Sequence, residues 1–144
     1  MLFCRVNLSK TNYSLYKHAR ILEPVPTKQI LEIYSKYCKY KNFESVMPIF
    51  EEELTHDHVQ IMGYFDNNKL VAFSYLYLLN NKNVDCNQFA WDYENPKLHL
   101  GVKSIRHECA YYKSMGYDFI YLGEDDTYKY QINGFETMGP IDAS

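Results

Sequence analysis

Between Trp91 and Val102 the chain runs WDYENPKLHLGV, and its residue types could hold an anion and move a proton. Gly101 stands where an apolar stretch turns into a helical pattern. A helix N-terminus presents unpaired backbone N–H groups and about half a positive charge, which together suit a phosphate. A glycine there, lacking Cβ, lets a ligand approach the backbone closely; it is also an ordinary helix start. Asp92 and Glu94 flank the end of the preceding apolar run, and Glu124 follows the next one. A carboxylate so placed could act as a general base, or be a solvated loop residue or cap. Asp125 and Asp126 read as N-caps of a short last helix.

Other groups have plainer accounts. His56-Asp57-His58 could ligate a metal, but no third ligand is evident, and a polar loop before a strand explains it; no metal is expected. The run IYSKYCKYK at 33–41 mixes basic and aromatic residues as single-strand binders do. An amphipathic helix with Tyr inward and Lys in water explains it better. Glu51-Glu52-Glu53 is a solvated acidic run that could attract a basic amine. Cys109 falls on the apolar face of its helix, so we read it as buried rather than nucleophilic.

The elements that must position these residues follow from periodicity. LFCRVNL at 2–8 forms a first strand, and KTNYSLYKHARILEPVP wanders to two prolines. Thr27 caps a helix whose Ile30, Leu31, Ile33, Tyr34, Tyr37 and Cys38 keep the 3.6 period. A second helix runs from about Glu44 to Leu54, with Pro48 near its start. VQIMGYF, LVAFSYLYLL and VDCNQFAWDY are strands joined by the turns DNNK and NNKN, an antiparallel meander. A helix over Gly101–Met115 comes next, carrying Val102, Ile105, Cys109 and Tyr112 on one face. Gly116 suits the left-handed residue past its end. YDFIYL is a buried strand, followed by a short helix through Tyr128–Ile132 and a terminal strand. A helix crossing between two strands of one sheet makes them parallel, so the sheet should be mixed.

Size and charge narrow the function classes. At 144 residues the chain suits one domain, 1–144. Its 47% apolar and 23% charged residues are those of a globular protein. A net charge of −3 disfavours a general grip on a nucleic-acid backbone. Cys4, Cys38, Cys86 and Cys109 lack Cys-x-x-Cys spacing, which points away from a disulfide framework or zinc ribbon and towards reduced thiols. The N-terminus lacks the layout of a signal peptide, and the run at 70–79 is about half a membrane span. The expectation is a cytoplasmic protein without membrane contact.

Order and spacing together carry a resemblance. A strand, an apolar loop, Gly101, a fifteen-residue step to Gly116, YDFIYL, then Tyr130 four residues before Gly134-Phe135 resembles the GCN5-related N-acetyltransferase (GNAT) superfamily. Members carry a Gln/Arg-x-x-Gly-x-Gly/Ala pyrophosphate loop. Aligning on Gly101 puts Pro96 at the Gln/Arg position and His99 at the first glycine. The backbone N–H groups of Leu98, His99, Leu100, Gly101 and Val102 remain for the phosphates. Locally, Leu98-x-Leu100-Gly101-x-x-Ser104, then Glu108 and Tyr121-Leu122-Gly123, is similar to the C-terminal half of arginyl/leucyl-tRNA–protein transferases.

The resemblance implies a single-domain α/β fold of acetyltransferase type, with a mixed central sheet flanked by helices and a short C-terminus. It implies an N-acyltransferase using acyl-CoA, acetyl-CoA first, and a small-molecule or peptide amine acceptor. A lysine-like amine needs about 4–5 kcal/mol to lose its proton at neutral pH, so a base is required: Glu94 or Glu124. Tyr130 takes the family role of proton donor to the leaving thiolate; the plainer alternative is a tyrosine packed beneath Gly134-Phe135. Backbone N–H groups at a bulge of the third meander strand would polarise the carbonyl. A V-shaped gap should open between that strand and YDFIYL. Two other functions stay open: an aminoacyl transferase using charged tRNA, and a catalytically silent binding module, which Pro96 and His99 motivate. A truncated last hairpin would leave a sheet edge for a second copy, hence a homodimer.

Overall fold

The computed structural model describes residues 3–25, 27–41, 58–91, 100–124 and 132–138. Strand β1 (Phe3–Asn7) leads through a short 3-10 turn (Leu8–Lys10) to β2 (Ala19–Leu22) and helix α1 (Lys28–Lys41). The meander is β3 (Val59–Asp66), β4 (Lys69–Leu78) and β5 (Asn83–Trp91). Helix α2 (Leu100–Ser114), β6 (Phe119–Glu124) and β7 (Phe135–Met138) follow. Among the described residues all strands join one seven-stranded sheet in the order β2-β3-β4-β5-β6-β1-β7. Only the β5–β6 pair is parallel, which makes the sheet mixed as expected.

Local chemistry explains the joints. Between β3 and β4, Asn67 and Asn68 take φ of 51° and 65°. Two consecutive positive φ values make a tight hairpin whose twist matches the strands, and asparagine tolerates them best after glycine. The next turn is held by Asn80 Oδ1, which accepts from the backbone N–H groups of Lys82 at 2.7 Å and Asn83 at 2.8 Å. Thr27 Oγ1 accepts from Ile30 N at 3.3 Å and caps α1. At the other end of α2, Gly116 takes φ 88°, its N–H bonds Lys113 O, and the N–H of Tyr117 bonds Tyr112 O. That is the Schellman arrangement, and it turns the chain straight into β6.

Strand alternation divides the core between two faces. Met62 and Tyr64 of β3, Ala72 and Leu76 of β4, and Val84 of β5 pack with Leu100, Ile105, Cys109 and Tyr112 of α2. Val59, Ile61, Phe73 and Tyr75 pack with Ile30, Ile33, Tyr34 and Cys38 of α1. Burial of such side chains is the main favourable contribution to the fold, roughly 1.5–3 kcal/mol for each large one. Ser35, Lys36 and Lys39 of α1 are exposed, so the amphipathic reading of IYSKYCKYK holds.

Two expectations change. The segment after β1 does not merely wander, because Ala19–Leu22 pairs antiparallel with β3 as an edge strand. Its ends are half-buried and its middle residues exposed, so no alternating apolar pattern marks it; pairing with β3 makes it a strand. Leu31 of α1, expected on the apolar face, is 42% exposed, because it lies one position round the helix from the buried Ile30. The expected helix at 44–54 and the turn of helix before Ile132 lie outside the described residues. Among the described residues no helix is long and apolar enough to cross a membrane.

Candidate functional site

The centre of the sheet holds the irregularity. Strands β5 and β6 start side by side and pair at Asn83↔Phe119, Val84↔Ile120 and Asp85↔Tyr121. Beyond that rung Cys86–Trp91 pairs with β4 alone, while β6 pairs with β1. The two strands therefore stop pairing after Asp85, and their ladder opens towards their C-terminal ends. Ligands of open α/β sheets bind at such strand ends.

A bulge lies at the point of parting. Leu76 faces Cys86 and Tyr75 faces Gln88, so Asn87 is an extra residue on β5. A bulge reverses side-chain phase. Val84 and Cys86 pack on the α2 side; after Asn87 it is Phe89 and Trp91 that do so, while Ala90 packs on the α1 side. It also frees backbone polar groups from the ladder, so donors can face the opening.

Helix α2 starts after β5, and its first turn contains no acidic residue. Its positive end is thus not offset by its own side chains. Leu100 is buried and anchors that end, and Ser104 Oγ donates to Gly101 O at 3.0 Å. Gly101 and Val102 are half-buried in the same turn. Leu100, Gly101 and Val102 form the first described turn of α2. Leu98, His99, Glu94 and Tyr130 lie outside the described residues. Glu124 ends β6 opposite Phe3, at the same end of the sheet as the opening.

Two carboxyl groups had no role assigned from the sequence. Asp85 sits on the last paired rung, between Tyr77 of β4 and Tyr121 of β6. It is half-buried, makes no hydrogen bond or ion pair among the described residues, and burial alone raises its pKa. The alternation of Val84-Asp85-Cys86 was the available signal: an acid between two core residues sits on the opposite face. Glu108 is only 1% exposed on the inner face of α2. Its Oε2 accepts from Ser74 Oγ at 2.6 Å and from the Tyr64 hydroxyl. Burial pushes its pKa up to about 7, against the pull of Ser74, Tyr64 and Cys86. Its spacing from Ser104, Ile105 and Tyr112 placed it on the core face, where a charged residue is rare without a partner.

Neighbouring groups take structural roles. His107 Nδ1 accepts from Tyr16 N at 2.9 Å, and its other nitrogen lies 3.3 Å from Met62 Sδ. Burial lowers its pKa, so it is a neutral pin between α2 and the segment before β2. Cys109 is fully buried and burial raises its thiol to about 12, which agrees with a core rather than a nucleophilic role. Phe119 and Tyr121 share the face opposite α2 with Arg5, which lies over the Phe119 ring at 3.9 Å and bonds Glu136 at 2.9 Å. Lys103 and Arg106 extend from α2 over Tyr16 and Tyr13.

A similar fold occurs in solved structures. One, assigned to the GNAT family and from Novosphingobium aromaticivorans, matches with a TM-score of 0.61 at 12% identity, over 95% of this chain and 59% of that one. The fold is the GNAT acetyltransferase fold. The GNAT-like fold is shared with Saccharomyces cerevisiae N-myristoyltransferase, solved with bound myristoyl-CoA, at a TM-score of 0.64, 14% identity and coverage of 94% and 46%. It is shared too with the C-terminal domain (DUF2156) of a protein from Agrobacterium fabrum assigned as a lysylphosphatidylglycerol synthetase, at 0.67, 13%, 85% and 46%. The chain therefore spans 46% to 59% of the length of these structures. No protein-family profile matches it, and no curated protein matches it by sequence.

Proposed function

We propose that the chain is an N-acyltransferase that moves an acyl group from acyl-CoA, acetyl-CoA first, to a primary amine. The observation that carries this reading is the parting of β5 and β6 after Asp85↔Tyr121, with a bulge at Asn87 and the α2 N-terminus following β5. A slot of that kind admits a thioester between two strands. The N–H groups of residues Leu98 to Val102 receive the donor's phosphates. An N–H at the β5 bulge polarises the thioester carbonyl as negative charge develops on its oxygen.

The chemistry balances on this chain's own groups. The amine nitrogen attacks the carbonyl carbon, and its extra proton passes to a carboxylate, Glu94 or Glu124, with Asp85 as a third candidate. The C–S bond then breaks, and Tyr130 gives its proton to the departing thiolate. The fold likeness to a protein holding myristoyl-CoA supports an acyl-CoA donor. Adding saturating acetyl-CoA should raise the thermal midpoint by several degrees; an unchanged midpoint sinks the reading.

One observation favours a second donor. The likeness to a protein named for making lysylphosphatidylglycerol, an aminoacyl ester, joins the LxLGxxS and YLG similarity in pointing to an aminoacyl group. Under this reading charged tRNA replaces acyl-CoA. Retention of labelled aminoacyl-tRNA on a filter tests it, and no retention removes it.

A further inference from the structure

We propose that Glu108 is a positioning residue: through Tyr64 and Ser74 its carboxyl ties α2 to the meander behind the β5 bulge, and its proton selects between two hydrogen-bond patterns that hold the start of α2. The proposal rests on the acyltransferase reading only in giving that tie a task, the placing of the phosphate floor relative to the bulge.

The connections form a line. Glu108 Oε2 accepts from Ser74 Oγ of β4 at 2.6 Å and from the Tyr64 hydroxyl of β3. The same hydroxyl lies 3.2 Å from the carbonyl oxygen of Ser104 in α2. Ser104 Oγ in turn donates to the carbonyl of Gly101 at 3.0 Å. Tyr64 is fully buried, so no water competes for its single proton. When Glu108 is ionised, that proton goes to the carboxylate. When Glu108 is protonated, its own O–H donates to the Tyr64 oxygen, and the Tyr64 O–H turns to Ser104. Ser74 donates to Glu108 in both states.

The surroundings make both states reachable. From β3 the carboxyl faces Tyr64, from β5 Cys86, and from α2 itself Cys109 and Tyr112. His107 stands 5.9 Å from the Tyr64 ring and is neutral. No described residue forms an ion pair with Glu108. Oε1 is buried without a hydrogen-bond partner among the described residues, and the Cys86 thiol favours the charged form. Ionisation is therefore opposed by burial and supported by two hydroxyls, which keeps the proton in play near neutrality. Cys86 is also the residue just before the extra Asn87. One carboxyl thus meets both parts of the proposed site from behind.

The test titrates acetyl-CoA onto wild type, Glu108→Gln, Glu108→Ala and Tyr64→Phe across the neutral pH range. Wild type should show a several-fold change in Kd over that range, mirrored in KM more than in kcat. Glu108→Gln should remove the step while keeping tight binding, and Glu108→Ala and Tyr64→Phe should weaken binding roughly tenfold. The same pH step in Glu108→Gln, or wild-type affinity in every variant, overturns the proposal. Tyr64→Phe breaks the tie without opening a cavity, which covers an Ala variant that fails to fold. If wild type binds no acetyl-CoA at any pH, the acyltransferase reading fails and hydrogen exchange decides the tie. Protection of the amides of Ser104 to Glu108 should then change across the neutral range in wild type and stay constant in Glu108→Gln. Identical exchange in the two proteins overturns it.

Discussion

Asp85 and Tyr121 face each other on the last rung that β5 and β6 share, and beyond them the sheet opens. Asp85 has no polar partner among the described residues and its pKa is raised by burial. Replacing it with Asn removes a charge that the fold does not stabilise. Asp85→Asn should leave the thermal midpoint at neutral pH unchanged or slightly higher. Acyl transfer should fall about 100-fold if Asp85 receives the amine proton. An intact rate returns that role to Glu94 or Glu124.

Glu108 should set a distinct pH dependence of stability. Its folded pKa is about 7 against 4.5 for an ordinary glutamate. Between those values the unfolded chain has lost the proton and the folded chain keeps it. Protonation thus favours the native state, and the contribution disappears as pH rises through about 7. The loss should be on the order of 3 kcal/mol. His107, whose pKa is lowered, acts in the opposite sense as pH falls, so the comparison must be with Glu108→Gln. Urea unfolding of both proteins over the range should show the slope in wild type only. Parallel curves would falsify this account.

Two glycines should respond very differently to alanine. Gly134 takes φ 77° and a Cβ there would lie 2.5 Å from Asn7 O, the strand that β7 joins. Gly116 takes φ 88°, but nothing lies within 4 Å of a Cβ. Gly134→Ala should cost about 2–4 kcal/mol, strain plus clash, and Gly116→Ala about 1 kcal/mol, strain alone. Equal losses in chemical denaturation would contradict the close approach at Asn7.

At the start of α1, Thr27→Ala should cost about 1 kcal/mol, because Ile30 N loses its acceptor. Thr27→Ser should recover most of it. Far-ultraviolet circular dichroism followed through thermal unfolding measures both variants.

Much of this fold was legible one element at a time. The meander could be read because its strands alternate between two buried faces and its turns contain asparagine pairs at positive φ. The crossover helix could be read because Ile105, Cys109 and Tyr112 repeat at helical spacing and Gly116 ends it. Strand β2 could not: Arg20 and Ile21 are exposed, so its burial carries no period. The site was half legible. Gly101 falls in the first described turn of α2, whereas Asp85 looked like an ordinary strand residue and nothing in the sequence joined Glu108 to Tyr64 and Ser74.

By itself the sequence determined much of the local structure: where the meander strands, α1 and α2 lie, how the Asn-rich turns close, and where a glycine must end α2. Those choices depend on backbone sterics and on side chains a few residues apart. Tertiary structure alone decided that β6 lies between β5 and β1, that β5 and β6 part after Asp85, and that Asn87 bulges there. It also brought Glu108 to Tyr64 and Ser74, which lie 44 and 34 residues away in the chain. Such encounters depend on the packing of whole layers, and no short-range pattern encodes them.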